Sequence, residues 1–145
     1  MTLQQWLQAY GASHQHRQNV AIHKLCIPLI IFSIFGVLTA LPSSVSPAWL
    51  LIAGGLLFYL RLSWRMALAM LLLCGTMMLL LYGLQRAGVD LLRLSGVIFV
   101  LAWIGQFIGH RIEGRKPSFL DDLRFLLIGP AWTVAGLTHR FNIRW

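Results

Sequence analysis

Acidic side chains are scarce in this chain: four Asp and Glu among 145 residues, with charged residues of either sign making up 11%. An ordinary soluble domain is about 25% charged, so there are too few polar side chains here to cover a surface in water. Cysteine is nearly absent too. Cys26 and Cys74 each lie in apolar sequence without CxxC spacing, which argues against a disulfide scaffold or redox pair and for two small buried hydrophobes. The N-terminus shows no basic stretch followed by an apolar core, so no cleavable signal peptide is expected. No Ser-His-Asp order, P-loop or GxGxxG after a strand occurs, and hydrolase and nucleotide-binding functions therefore lack support. No repeat, low-complexity tract or linker interrupts residues 1–145, so a single domain is expected.

What the chain has in excess is apolar sequence, 58% of its residues, with a mean hydropathy of +0.73. Its formal charge of +8 comes from 12 Lys and Arg. In a soluble protein such a charge would suggest nucleic acid. Here the basic residues stand at the ends of apolar runs, where they reach anionic headgroups, so the expected partner is membrane lipid. Four uncharged stretches, 25–41, 48–60, 66–82 and 94–109, read as spanning helices. A span takes about 20 residues, and the second needs Arg61 and Trp64 to extend its reach. A fifth run, 125–137, contains Pro130 and reads as a half-span or interfacial helix. The fold class is thus an all-α, multi-pass membrane helical bundle.

Short loops rich in Lys and Arg stay cytoplasmic. With four spans and a cytoplasmic N-terminus, the inner side holds Arg17, Lys24, Arg61, Arg65, Arg111, Arg115, Lys116 and Arg124 and the outer side Arg86 and Arg93, while Arg140 and Arg144 join the inner side if the fifth run does not cross and the outer side if it does. This orientation puts the segment before the first span and the segment after the fourth on one face. The membrane would be the inner membrane of a bacterium or the endoplasmic reticulum of a eukaryote.

That shared face matters because of "SHQHRQNVAIHK", residues 13–24, which holds three of the chain's five histidines, while His110 stands at the far end of the fourth span. At about 100° per residue, His16, Asn19 and His23 share a helix face. His14 joins them only if the helix begins after "YGAS" and His14 sits on a bend or another segment. Gln106, His110 and Glu113 share a face of the later helix, and His-x-x-Glu spacing recurs in helical-bundle metal sites. Ionisable groups beside apolar spans are costly and mark function, although interfacial histidines also bond to headgroups. Imidazole suits iron, copper, zinc and nickel alike. Tyr10, four residues before His14, reads as a hydrogen-bond donor supporting that histidine or as an interfacial anchor. The six tryptophans mostly fit an interfacial belt, and the Gly105–Gly109 step reads as close helix packing. Ser118 can cap a helix after Pro117, and Arg115 and Lys116 can grip a carboxylate or a phosphate headgroup.

The pattern "YGASHQHRQNVAIHKLCIP" followed by "WIGQFIGHRIEGRKPSF" resembles the Mpo1-like family over residues 10 to about 130. The resemblance implies an Fe(II)-dependent dioxygenase that uses O2 to shorten a 2-hydroxy fatty acid by one carbon in α-oxidation. His14, Asn19, His23, Gln106, His110, Glu113 and Pro117 match the family's recurring positions, and the resemblance points to His14, His23 and His110 as catalytic iron ligands. Two positions depart from it. His16 stands where relatives typically carry Asn, and Gly136 where they tend to carry Glu, with His139 a turn further on. The fourth ligand is accordingly open between His16, His139 and Glu113, while Tyr10, Asn19, Gln106, Glu113, Arg115 and Lys116 are expected to bind substrate or support the ligands. Two other classes compete: a non-catalytic haem-binding protein, which would purify red, and a structural membrane protein without metal.

Overall fold

The computed structural model describes residues 1–114, 126–138 and 145, which form helices α1 (Leu3–Ala12), α2 (Arg17–Ala40), α3 (Ala48–Leu62), α4 (Trp64–Arg86), α5 (Leu91–Glu113) and α6 (Ile128–Thr138), with no strand among the described residues. It is a helical membrane bundle. Three helices, α2, α4 and α5, are long and apolar enough to cross a bilayer. The stretch expected to span only with help, α3, is a shorter apolar helix of 15 residues. The large hydrophobic side chains left exposed, such as Leu50, Leu72, Leu79 and Leu101, would be an aggregation hazard in water and suit contact with lipid.

Two compact units divide the chain, Met1–Pro28 with Ala102–Trp145, and Leu29–Leu101. The second is an apolar scaffold. Ser63 closes α3 and caps α4, its hydroxyl accepting from the Met66 N–H at 3.4 Å, and the Trp49 indole donates to the Tyr82 hydroxyl at 3.0 Å. These contacts at opposite ends make α3 and α4 an antiparallel pair. Methionines 66, 70, 77 and 78, with Cys74, form the buried stripe of α4, where flexible thioethers fill irregular gaps. Gly36 of α2 faces Ser95 of α5 so closely that any side chain at 36 would strike the serine.

The first unit holds the buried histidines and amides, His14, Asn19, His23 and Gln106. Thr2 caps α1 in a reciprocal box with Gln5 (2.7 and 3.3 Å), a Thr-x-x-Gln signature of a helix start. The run expected to begin at 125 is helical from Ile128, and Pro130 lies in its first turn, where a missing N–H costs nothing. At 11 residues α6 is about half a bilayer long. It lies on α1, with Gly129 under the Tyr10 hydroxyl and Gly11 beside the Trp132 indole. Cys26 and Cys74 are free and buried, as expected.

Candidate functional site

α1 ends at Ala12 and α2 starts at Arg17, so His14 sits on the bend between two helices, the arrangement its spacing from His23 requires. The backbone fixes its position: the N–H groups of Ser13 and His14 bond to the carbonyls of Tyr10 (3.2 Å) and Gly11 (3.0 Å). The His14 ring is buried, stacks on Tyr10 with centroids 4.3 Å apart and planes 10° from parallel, and has Trp132 at 5.6 Å.

His23 on α2 is 2% exposed, and its ring centroid lies 4.4 Å from that of His14. His110, in the last turn of α5, lies 5.0 Å from His23 and 6.1 Å from His14. Three imidazoles from the two ends of the chain therefore form one cluster. The tautomers of two are assigned by their partners. His14 Nδ1 is 2.8 Å from the Tyr10 carbonyl and His23 Nδ1 is 3.1 Å from the Asn19 carbonyl; a carbonyl only accepts, so both Nδ1 atoms carry the proton and both Nε2 atoms carry a lone pair. Metal-binding histidines are oriented by bonds of this kind. The donor chemistry fits a first-row metal ion. The rings form a cluster rather than a closed coordination sphere: among the described residues no group of three or more His, Cys, Asp or Glu is arranged to hold a metal.

Glu113 works on the backbone. Its Oε1 accepts from the N–H groups of Gln15 (2.9 Å) and His16 (3.2 Å), and its Oε2 from His16 N–H (2.9 Å) and Asn19 Nδ2 (2.8 Å). The two backbone N–H groups lie just ahead of α2 and have no helical partner; a carboxylate from more than ninety residues away caps them and holds the Asn19 amide as well. Glu113 thereby ties the bend carrying His14 to the helix carrying His110. His16 contributes its backbone N–H to this contact, while its side chain is exposed and its Nδ1 accepts from Gln18 N–H at 3.3 Å.

Asn19 and Gln106 are buried, at 0% and 6% exposure, and neither side-chain oxygen has a hydrogen-bond donor among the described residues. Asn19 Oδ1 is pressed against the backbone of Gly109. A Cβ at 109 would overlap that oxygen and stand 3.3 Å from His23 Nδ1, while one at 105 would stand 2.6 Å from Cys26 Sγ. The Gly105–Gly109 step is therefore a packing feature, as its spacing suggests, and also the gap in which the polar cluster is held. Gly109→Ala is expected to cost about 1–3 kcal/mol, the usual price of overpacking, because Asn19 cannot withdraw without breaking its bond to Glu113. A thermal melt in detergent reads this out against Gly96→Ala, where an added Cβ meets nothing within 4 Å.

Tyr10 serves through its carbonyl and its ring and is buried rather than interfacial. Trp132, expected in the interfacial belt, instead packs on Tyr10 (5.3 Å) and His14 (5.6 Å); nothing in its local sequence signals this, since it follows from how α6 meets α1. At Gly136 the space a side chain would fill is taken by Lys24, whose Cε and Nζ lie 3.0 and 3.2 Å from the place of a Cβ. His139, Arg115, Lys116, Pro117 and Ser118 lie outside the described residues.

The model of the Mpo1-like family, described as 2-hydroxy-palmitic acid dioxygenase Mpo1-like, matches residues 1–141. The chain is 32% identical over 136 residues to the 2-hydroxy-palmitic acid dioxygenase of Saccharomyces cerevisiae, a match that covers 90% of this chain and 76% of the yeast protein. No solved structure matches.

Proposed function

The chain belongs to the Mpo1-like family, and from that premise we propose that it is a non-haem Fe(II) dioxygenase acting on 2-hydroxy fatty acids, with its N-terminus and active site at the cytoplasmic face of the membrane. The observation that carries this reading is the meeting of His14, His23 and His110, two of them with the Nδ1 proton held by a backbone carbonyl. These three would hold the iron. Bound there, iron supplies Lewis acidity and activation of O2.

The overall conversion balances without an external reductant. A 2-hydroxy acid and O2 give the acid one carbon shorter, CO2 and water; the hydroxyl-bearing and carboxyl carbons together lose the four electrons that O2 gains. The chain's own part is to place the acid and keep the rings in register. Leu25, Ile104, Phe107 and Ile108 are exposed on α2 and α5 and offer apolar surface along which an acyl tail can lie. Arg17 and Arg111, exposed at the same helix ends, draw a carboxylate toward them, with Arg115 and Lys116 orienting it in this reading.

Elemental analysis of the detergent-purified protein is expected to give stoichiometric iron with no Soret band. Chelation should abolish oxygen uptake with 2-hydroxypalmitic acid, and added Fe(II) should restore it. Full turnover by metal-free protein would defeat the reading, and a strong Soret band would replace it with the haem alternative.

A further inference from the structure

Gln106 sits one helical turn from His110, toward the apolar middle of α5, on the face that α5 buries together with Ala102 and Gly109. Its neighbour Gly105 meets Cys26 and Ile22 of α2, and Gly109 meets Asn19 and His23, so Gln106 lies along the α2–α5 seam just inward of the imidazoles. The residue is 6% exposed and its Oε1 has no hydrogen-bond donor among the described residues. A buried amide oxygen without a donor costs as much as a lost hydrogen bond, and such groups call for an explanation.

Asn19 Oδ1 also lacks a donor, but it is closed off by Gly109 and its amide is pinned by Glu113. Gln106 lies one turn further in, and its oxygen is equally shielded from solvent. The cluster does not supply a donor: the Nδ1 protons of His14 and His23 are committed to backbone carbonyls, and the His110 ring makes no hydrogen bond to this oxygen. A bound ligand can bring the missing donor.

We propose that Gln106 reads the 2-hydroxyl of the substrate, accepting its hydrogen bond on Oε1; this rests on the dioxygenase reading above. At neutral pH a fatty acid carries no donor on its carboxylate or its chain, and the 2-hydroxyl is the one O–H a 2-hydroxy fatty acid brings. The depth agrees. An amphiphile with its acid group among the basic helix ends and its tail among the spans places C2 just inward of the carboxylate, as Gln106 is placed just inward of His110. An acid without the hydroxyl would leave Oε1 unpaired, and a site built around a hydroxyl rejects an analogue that lacks it far more strongly than an apolar pocket discriminates by size.

The test is binding to the full-length protein in detergent micelles, with 2-hydroxypalmitic, 2-methoxypalmitic and palmitic acids as probes. Wild-type protein is expected to bind the hydroxy acid at least about tenfold more tightly than the other two, the weight of one good hydrogen bond. The methoxy acid keeps the oxygen and loses the donor, so it should bind like palmitic acid. Gln106→Leu should remove the preference by weakening the hydroxy acid alone. Equal binding of hydroxy and methoxy acids by the wild type overturns the assignment without any variant, as does an unchanged preference in Gln106→Leu. A preference that depends on Gln106 in a protein that consumes no oxygen would leave the assignment standing and remove the dioxygenase reading. Turnover with a preference indifferent to Gln106 would do the reverse.

Discussion

His110→Ala yields a protein that inserts and melts like the parent but consumes no oxygen with a 2-hydroxy fatty acid. The two halves of this expectation have separate causes. His110 is only partly buried, at the end of α5, so truncating it opens no sealed cavity. Its ring is nevertheless one side of the three-ring cluster, 5.0 Å from His23 and 6.1 Å from His14. Removing the groups that merely orient a metal ligand typically costs 10–100-fold in affinity or activity; removing a ligand should exceed about a hundredfold. Iron content by elemental analysis should fall with it. His23→Ala is a poorer experiment, because that ring is 2% exposed and bonded to Asn19, so fold and site would fail together. Retained turnover in His110→Ala would remove the imidazole cluster from the chemistry.

The difference between these histidines also shows what could be read from one dimension. Helical periodicity is enough to put Asn19 with His23, and Gln106 with His110, because residues three and four apart share a face whatever the tertiary structure. It is enough to exclude His14 from that face and to demand a bend, which lies at residues 13–16, one step later than "YGAS" suggests, since Tyr10, Gly11 and Ala12 still belong to α1. The excess of Lys and Arg at certain helix ends suggested that the early and late histidines share a membrane face, and the cluster has them together. What escaped was any partner with no side-chain signature. Glu113 could be seen near His110, but its acceptor role depends on the backbone N–H groups of Gln15 and His16, which every residue but proline has. Gly109 announced a close approach without saying to what. Trp132 reaches His14 only through the docking of α6 on α1, a packing of whole helices that local pattern does not encode.

Glu113→Ala is expected to lower turnover about 10–100-fold, the range for a group that orients ligands without binding metal itself. Both carboxylate oxygens are filled by N–H donors from the bend and from Asn19, so the effect should run through the position of His14 relative to His110. Glu113→Gln tests this. The amide keeps the shape and one oxygen, but its NH2 faces donors, so one side of the latch turns repulsive and activity should stay low. A cycle with Asn19→Ala separates the latch from general loss of stability. Groups that act through one contact are not additive, so Glu113→Ala with Asn19→Ala together should be little worse than Glu113→Ala alone, whereas independent structural damage would multiply. Wild-type turnover in Glu113→Ala would mean that the backbone bonds of Ser13 and His14 to Tyr10 and Gly11 hold the bend without help, and that the α5 carboxylate serves only to cap α2.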